Sequence, residues 1–123
     1  MPESAPAPSP EWSAAMQALR ARFLAGAEET VAAFTTHAER LAAAPAATDV
    51  LASLGRELHR VRGTAGAYGF MEASRLAEQL EDRVVRWTAD PTLDVDGRAP
   101  AVSRFAARLR AALGAAPPGG SGA

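Results

Sequence analysis

Apolar side chains recur at steps of three and four residues in four successive stretches of this chain. That period suits helices and not strands. The first stripe runs Trp12, Met16, Leu19, Phe23, Ala27, Val31, Phe34, Ala38 and Leu41. The second comprises Val50, Leu51, Leu54, Leu58, Val61 and Ala65. The third is Ala73, Leu76, Leu80, Val84 and Trp87, and the last is Val102, Phe105, Leu109 and Leu113. No such helix can bury its stripe alone, so the stripes must face one another. The expected fold is all-α: an antiparallel four-helix bundle with an additional N-terminal helix or helix extension. Short connections favour sequential helices as packing partners. Alanine, 31 of the 123 residues, supplies helix propensity, and seven aromatics with few β-branched residues argue against a sheet. The length suits one small domain.

Local punctuation sets the expected boundaries. Ser9-Pro10-Glu11 reads as a helix start, with a capping hydroxyl, a proline at the first helical position and an acid in the first turn. The apolar phase of the first stripe survives across Gly26, so one long helix and two helices both fit. The cost of glycine inside a helix, about 1 kcal/mol relative to alanine, favours a break near Gly26. Pro45 ends that segment, Thr48-Asp49 offers the next cap, a turn follows at Gly66 to Gly69, and Asp90-Pro91 stops the third helix. The last helix is expected from near Pro100 to Gly114. The bundle therefore occupies 10–114, flanked by a Pro-rich tail over 1–9 and a Pro/Gly-rich tail over 115–123, both expected to be disordered.

Several function classes drop out. Cysteine is absent, which removes disulfides, thiolate metal sites and a cysteine nucleophile. A formal net charge of −1 disfavours nucleic acid as the main partner. No apolar run reaches the ~18 residues of a membrane span, and the first residues do not read as a secretory signal, so a cytoplasmic protein is expected. Asp94-Val95-Asp96-Gly97 lacks the downstream glutamate of a calcium loop and reads as a polar turn. His37, with Ala33 and Leu41 one turn to either side, reads as a surface or core-edge residue. His37 and His59 fit no local metal-ligand spacing, and Trp12 and Trp87 read as core.

The informative stretch lies between Gly55 and Gly69, which holds four of the ten glycines. Gly55, Gly63 and Gly66 fall at −4, +4 and +7 from His59, on the same helix face. Three interior glycines in place of alanine cost roughly 2 to 3 kcal/mol of helix stability. Clearance around the imidazole for a large partner is one offsetting benefit. Arg56, Arg60 and Arg62 surround the histidine, an arrangement suited to a phosphoryl group. If the turn centres near Phe70, Glu81 lies level with His59 and can accept a hydrogen bond from one ring nitrogen, leaving the other as a nucleophile. The same residues also admit a structural histidine in a tightly packed bundle, in a catalytically silent interaction or dimerisation module. Around the turn, Phe70 reads as a cap on the bundle's end. Tyr68 or Met71, together with Arg56, Arg60, Gly66 and Gly69, forms a candidate docking patch.

The run His59-Arg60-Val61-Arg62-Gly63-Thr64-Ala65-Gly66-Ala67-Tyr68-Gly69-Phe70 resembles the signature of histidine-containing phosphotransfer domains. It also resembles the phosphoacceptor domain of chemotaxis histidine kinases. Gly63 and Gly69 match the signature's two glycines, and Leu80-Glu81 matches the Leu-Glu that closes its second helix. The resemblance covers about Phe23 to Trp87 and is sharp over Leu58 to Glu81. It implies a four-helix bundle whose single exposed histidine takes phosphoryl from a receiver-domain aspartate, or a kinase, and passes it to a response regulator. Carried onto this chain, His59 is the phosphoacceptor, Gly63 gives access and Glu81 orients the ring. Arg62 stands where the family usually has lysine. The implied protein is a phosphocarrier without kinase activity of its own and without a cofactor, the Mg2+ being held by the partner receiver domain. A monomer is expected, with no membrane insertion and no nucleic-acid partner.

Overall fold

A computed structural model describes residues 10–115, with side chains over 13–114. The Ser9 cap, the packing of Trp12 and the tails 1–9 and 116–123 lie outside the described residues. Among these there are α-helices α1 (Pro10–Ala25), α2 (Ala27–Ala43), α3 (Thr48–Ala67), α4 (Met71–Ala89) and α5 (Arg98–Ala115), with one 3₁₀ turn at Val95–Gly97 and no strand.

Helices α2 to α5 bury the Val31–Leu41 part of the first stripe and most of the other three on one another, while Leu19 of α1 stays exposed. Phe34, Leu41, Leu54, Leu58, Val102 and Leu109 are wholly inaccessible at the centre. The expectation that sequential helices pair holds only in part. Helix α3 lies along α4, but α2 packs chiefly on α5 and touches α3 lightly. Four antiparallel helices on a square need one edge that joins the first to the last. Here Phe34 and Phe105 close it edge-to-face, with ring centroids 4.9 Å apart.

Gly26 does interrupt the first stripe, and its carbonyl accepts from both the Thr30 N–H and hydroxyl at 3.0 and 3.1 Å. Beyond it, Phe23 of α1 tilts against Tyr68 and Phe70, and the Arg20 guanidinium lies 4.7 Å from the Phe70 ring centre. The end of α1 thus covers the α3–α4 turn, with Phe70 buried beneath it.

Two boundaries differ from expectation. Thr48 is the first residue of α3 and not its cap. Ala44-Pro45-Ala46-Ala47 forms a β-turn with the Ala47 N–H on the Ala44 carbonyl at 3.1 Å, so Ala47 leaves the turn in the capping position. Helix α5 starts at Arg98, two residues before Pro100. Proline is tolerated there because first-turn N–H groups have no intrahelical acceptor.

The α3–α4 turn is a Schellman closure. The Phe70 N–H reaches the Ala65 carbonyl at 2.8 Å and the Gly69 N–H reaches Gly66 at 3.2 Å, with Gly69 at φ +86°. This turn sets the register between α3 and α4, and so brings residues 59 and 81 level.

Candidate functional site

His59 projects from the middle of α3 with its side chain 75% exposed. Leu58, its neighbour in sequence, is fully buried, and the ~100° step per residue carries His59 to the rim of the helix. Across the α3–α4 seam, the half-buried Glu81 places one carboxylate oxygen 3.0 Å from His59 Nδ1. Its other oxygen accepts from Arg62 Nη1 at 3.1 Å. A carboxylate that accepts from a guanidinium faces the imidazole as an acceptor too, so the hydrogen-bond network puts the ring proton on Nδ1. In the neutral ring this leaves the lone pair on Nε2.

Arg62 is committed to carboxylates: besides Glu81 it reaches Glu78 at 3.4 Å. The Glu81 bond, with Glu78 nearby, holds its guanidinium above the ordinary arginine pKa. The ring of arginines expected around His59 is therefore only partly available. Arg60 leans back to Glu57 at 3.6 Å, and among the described residues only Arg56 of the three has no carboxylate within ion-pair distance.

The glycines serve different ends, which corrects the reading of one cleared face. A Cβ on Gly63 would meet nothing within 4 Å, so the space one turn beyond His59 is open. A Cβ on Gly55 would rest on Val84 at 3.8 Å, an ordinary contact. One on Gly66 would crowd the Ser74 hydroxyl at 3.2 Å, and that hydroxyl donates to the Arg62 carbonyl at 2.9 Å. Gly66 thus lets α4 approach α3, the packing role weighed beside clearance, while Gly69 supplies the turn.

Tyr68 is half-buried against Phe23, whereas Met71 is 60% exposed. His37 sits at the core edge, 7% exposed, with Nε2 2.9 Å from Glu57 and Nδ1 buried without a partner. Asp94 and its neighbours form a turn whose carboxylate accepts from Trp87 Nε1 at 3.0 Å.

A family model for the Hpt domain matches residues 18–117. The chain belongs to the Hpt domain family. Hpt domains are helical bundles that carry phosphoryl groups on histidine in two-component phosphorelays, and they work with receiver domains or kinases. No curated protein and no solved structure matches the chain. Among the described residues no helix is long and apolar enough to cross a membrane.

Sequence reasoning missed Glu78 and Ser74, which hold Arg62 from α4. Glu78 was detectable: it precedes Glu81 by three residues and so shares its flank of the helix. It also missed Arg98, which is wholly buried. Arg98 donates to the carbonyls of Leu93, Pro45, Trp87 and Asp90 at 2.7 to 3.3 Å. The signal was its position four residues before Val102, in phase with the last apolar stripe.

Proposed function

We propose that this Hpt domain accepts a phosphoryl group on His59 Nε2 from a receiver-domain aspartate, or from a kinase, and passes it to a response regulator. The observation that carries this reading is the pairing of an exposed imidazole with Glu81. A bare Nε2 faces solvent, Nδ1 is engaged, and Gly63 leaves the approach open.

In the forward step the Nε2 lone pair attacks phosphorus and the P–O bond to the donor aspartate breaks, its electron pair leaving with the carboxylate. No proton moves. The ring gains positive charge as the N–P bond forms, and the Glu81 carboxylate on Nδ1–H stabilises that charge. In the return step an acceptor carboxylate oxygen attacks phosphorus, and the N–P electrons go back to Nε2. Arg62 acts through Glu81 as a positioning residue, and Arg56 is free to meet phosphoryl oxygens or an acidic receiver surface. Met71 remains open to a docked receiver, while the Tyr68 ring is engaged by Phe23. The divalent cation of the reaction belongs to the receiver, and the chain carries phosphoryl as a monomer in the cytoplasm without kinase activity of its own.

The test is incubation of the full chain with a phosphorylated receiver domain or its kinase, followed by detection of acid-labile phosphate. Wild type should label and His59→Gln should not. Equal labelling of the variant, or no labelling of wild type by a panel of receivers, would reduce the chain to a silent interaction module.

A further inference from the structure

The two flanks of α4 differ in charge. Toward α3 it presents Glu78 and Glu81, both engaged by the residues around His59. Toward α5 it presents Leu76, Gln79 and Arg83. With Arg104, Phe105 and Arg108 of α5 these line a cavity of about 140 Å³. A second, shallower hollow of about 420 Å³ shares Leu76 and Arg108 and continues to Ala111 and Ala112. Joined, the two make a trench along α5 from Ala101 to Ala112, about 16 Å at the helical rise per residue.

This trench has little countercharge of its own. Helix α5 contains no Asp or Glu over its whole length. Of its arginines, Arg98 is buried on carbonyls and Arg110 pairs with Glu28 on the other flank at 2.9 Å. Arg104 and Arg108, both exposed, have no carboxylate within ion-pair distance among the described residues. Arg83 adds a third guanidinium, lying over Trp87 at 5.3 Å and touching Asp94 at 3.5 Å. The one carboxylate along the trench, Glu72 at its far end, is held by Arg75 at 2.7 Å. Like charges four residues apart on a helix repel, and among the described residues no carboxylate within ion-pair distance offsets the Arg104–Arg108 pair.

We propose that the α4–α5 trench is a docking site for an acidic amphipathic helix of a partner protein. Carboxylates one turn apart on that helix would pair with Arg104 and Arg108, whose planar forks suit them. An apolar side chain between the carboxylates would rest on Leu76. The length of the trench favours a helix over a single oxyanion, which would occupy one end only. Because the trench and His59 lie on opposite flanks of α4, the docked helix leaves the imidazole uncovered. Such a partner can hold this protein while its histidine remains accessible. The proposal stands on the arginines and the groove alone and does not depend on His59 chemistry.

The probe is a fluorescein-labelled helical peptide of about 15 residues, long enough to fill the trench, with Glu at i and i+4 and Leu between them. It is titrated into the full chain at low salt. Saturable binding is expected, with amide shifts confined to Leu76, Gln79, Arg83, Arg104 and Arg108. Arg104→Glu/Arg108→Glu should weaken binding by about tenfold or more. Arg22→Glu/Arg40→Glu, with the same change in net charge elsewhere, should leave it unaltered, and a peptide with Gln in place of Glu should not bind. Equal binding to both double variants, shifts centred elsewhere, or no binding of the probe would overturn the proposal. Displacement of the peptide by an equal concentration of inorganic diphosphate would also overturn it and mark a small-anion site.

Discussion

Glu81 serves two neighbours with its two oxygens, and the consequences separate at the level of single residues. Glu81→Gln keeps the shape and one carbonyl acceptor but removes the negative charge that, in the proposed transfer, faces the imidazole as it takes up phosphoryl. Phosphoryl uptake should slow by about tenfold or more while the urea midpoint moves little, read by labelling rate beside chemical unfolding. The glycines separate just as cleanly. Gly63→Ala enters open space and should stabilise the protein by about 0.5 to 1 kcal/mol through helix propensity. Gly66→Ala should bring no such gain, because its methyl group meets a Ser74 hydroxyl already held by the Arg62 carbonyl. Urea unfolding of the two variants distinguishes them. His59, Glu81 and their level placement were legible in the sequence, because one helical turn and one short hairpin fix them. The separation of Gly63 from Gly55 and Gly66 was not, since all three share a face and only the position of α4 tells solvent from neighbour.

Among the elements, the α4–α5 connection illustrates how a polar turn is tied down. Asp94 takes a left-handed φ of 56° and accepts from Trp87 Nε1, and that bond, with Arg83 nearby, holds its carboxyl below the usual aspartate range. The Thr92 hydroxyl and N–H do the same for Asp90. Both groups have a lower pKa folded than unfolded. Their contribution is therefore complete above the ordinary carboxylate pKa of about 3.9 and is lost as pH falls through the lower folded values. Asp94→Asn, which keeps an acceptor oxygen for Trp87, should flatten the acid side of the stability profile, measured as the urea midpoint between neutral pH and about pH 3. A slope equal to that of wild type would remove Asp94 from the account. The sequence showed a turn at this place. It did not show which acceptor Trp87 would find, because that depends on how the chain folds back over α4.

At the scale of the whole molecule, Arg98 ties the α2–α3 linker, 53 residues before it, to the end of α4 and the loop that follows. Its guanidinium binds the α2–α3 linker through Pro45, the end of α4 through Trp87 and Asp90, and the following loop through Leu93, while it lies 5.6 Å from the Trp87 ring centre. Its hydrogen-bond partners are carbonyls. Arg98→Ala would leave buried carbonyls unpaired and open a cavity, and should cost about 3 kcal/mol or more in urea unfolding. Arg98→Lys should recover only part of this loss, since one ammonium cannot span the same fork. A loss below about 1 kcal/mol for the alanine variant would show that water replaces the fork without penalty.

The all-α class, the α3–α4 hairpin and the histidine facing a glutamate across it were determined by sequence alone, whereas the break at Gly26 needed the structure because the apolar phase runs through it. Those three rest on interactions within a turn or two of helix, or across one short loop, where spacing translates directly into geometry. The tertiary structure alone decided which helices share the longest seams, which arginines are paired, and why each glycine is needed. It also decided that Arg98, in phase with an apolar stripe, is buried on backbone carbonyls. Those outcomes depend on helices far apart in the chain. Their apolar stripes say that they must meet, but polar and charged groups find their partners only once the bundle has closed.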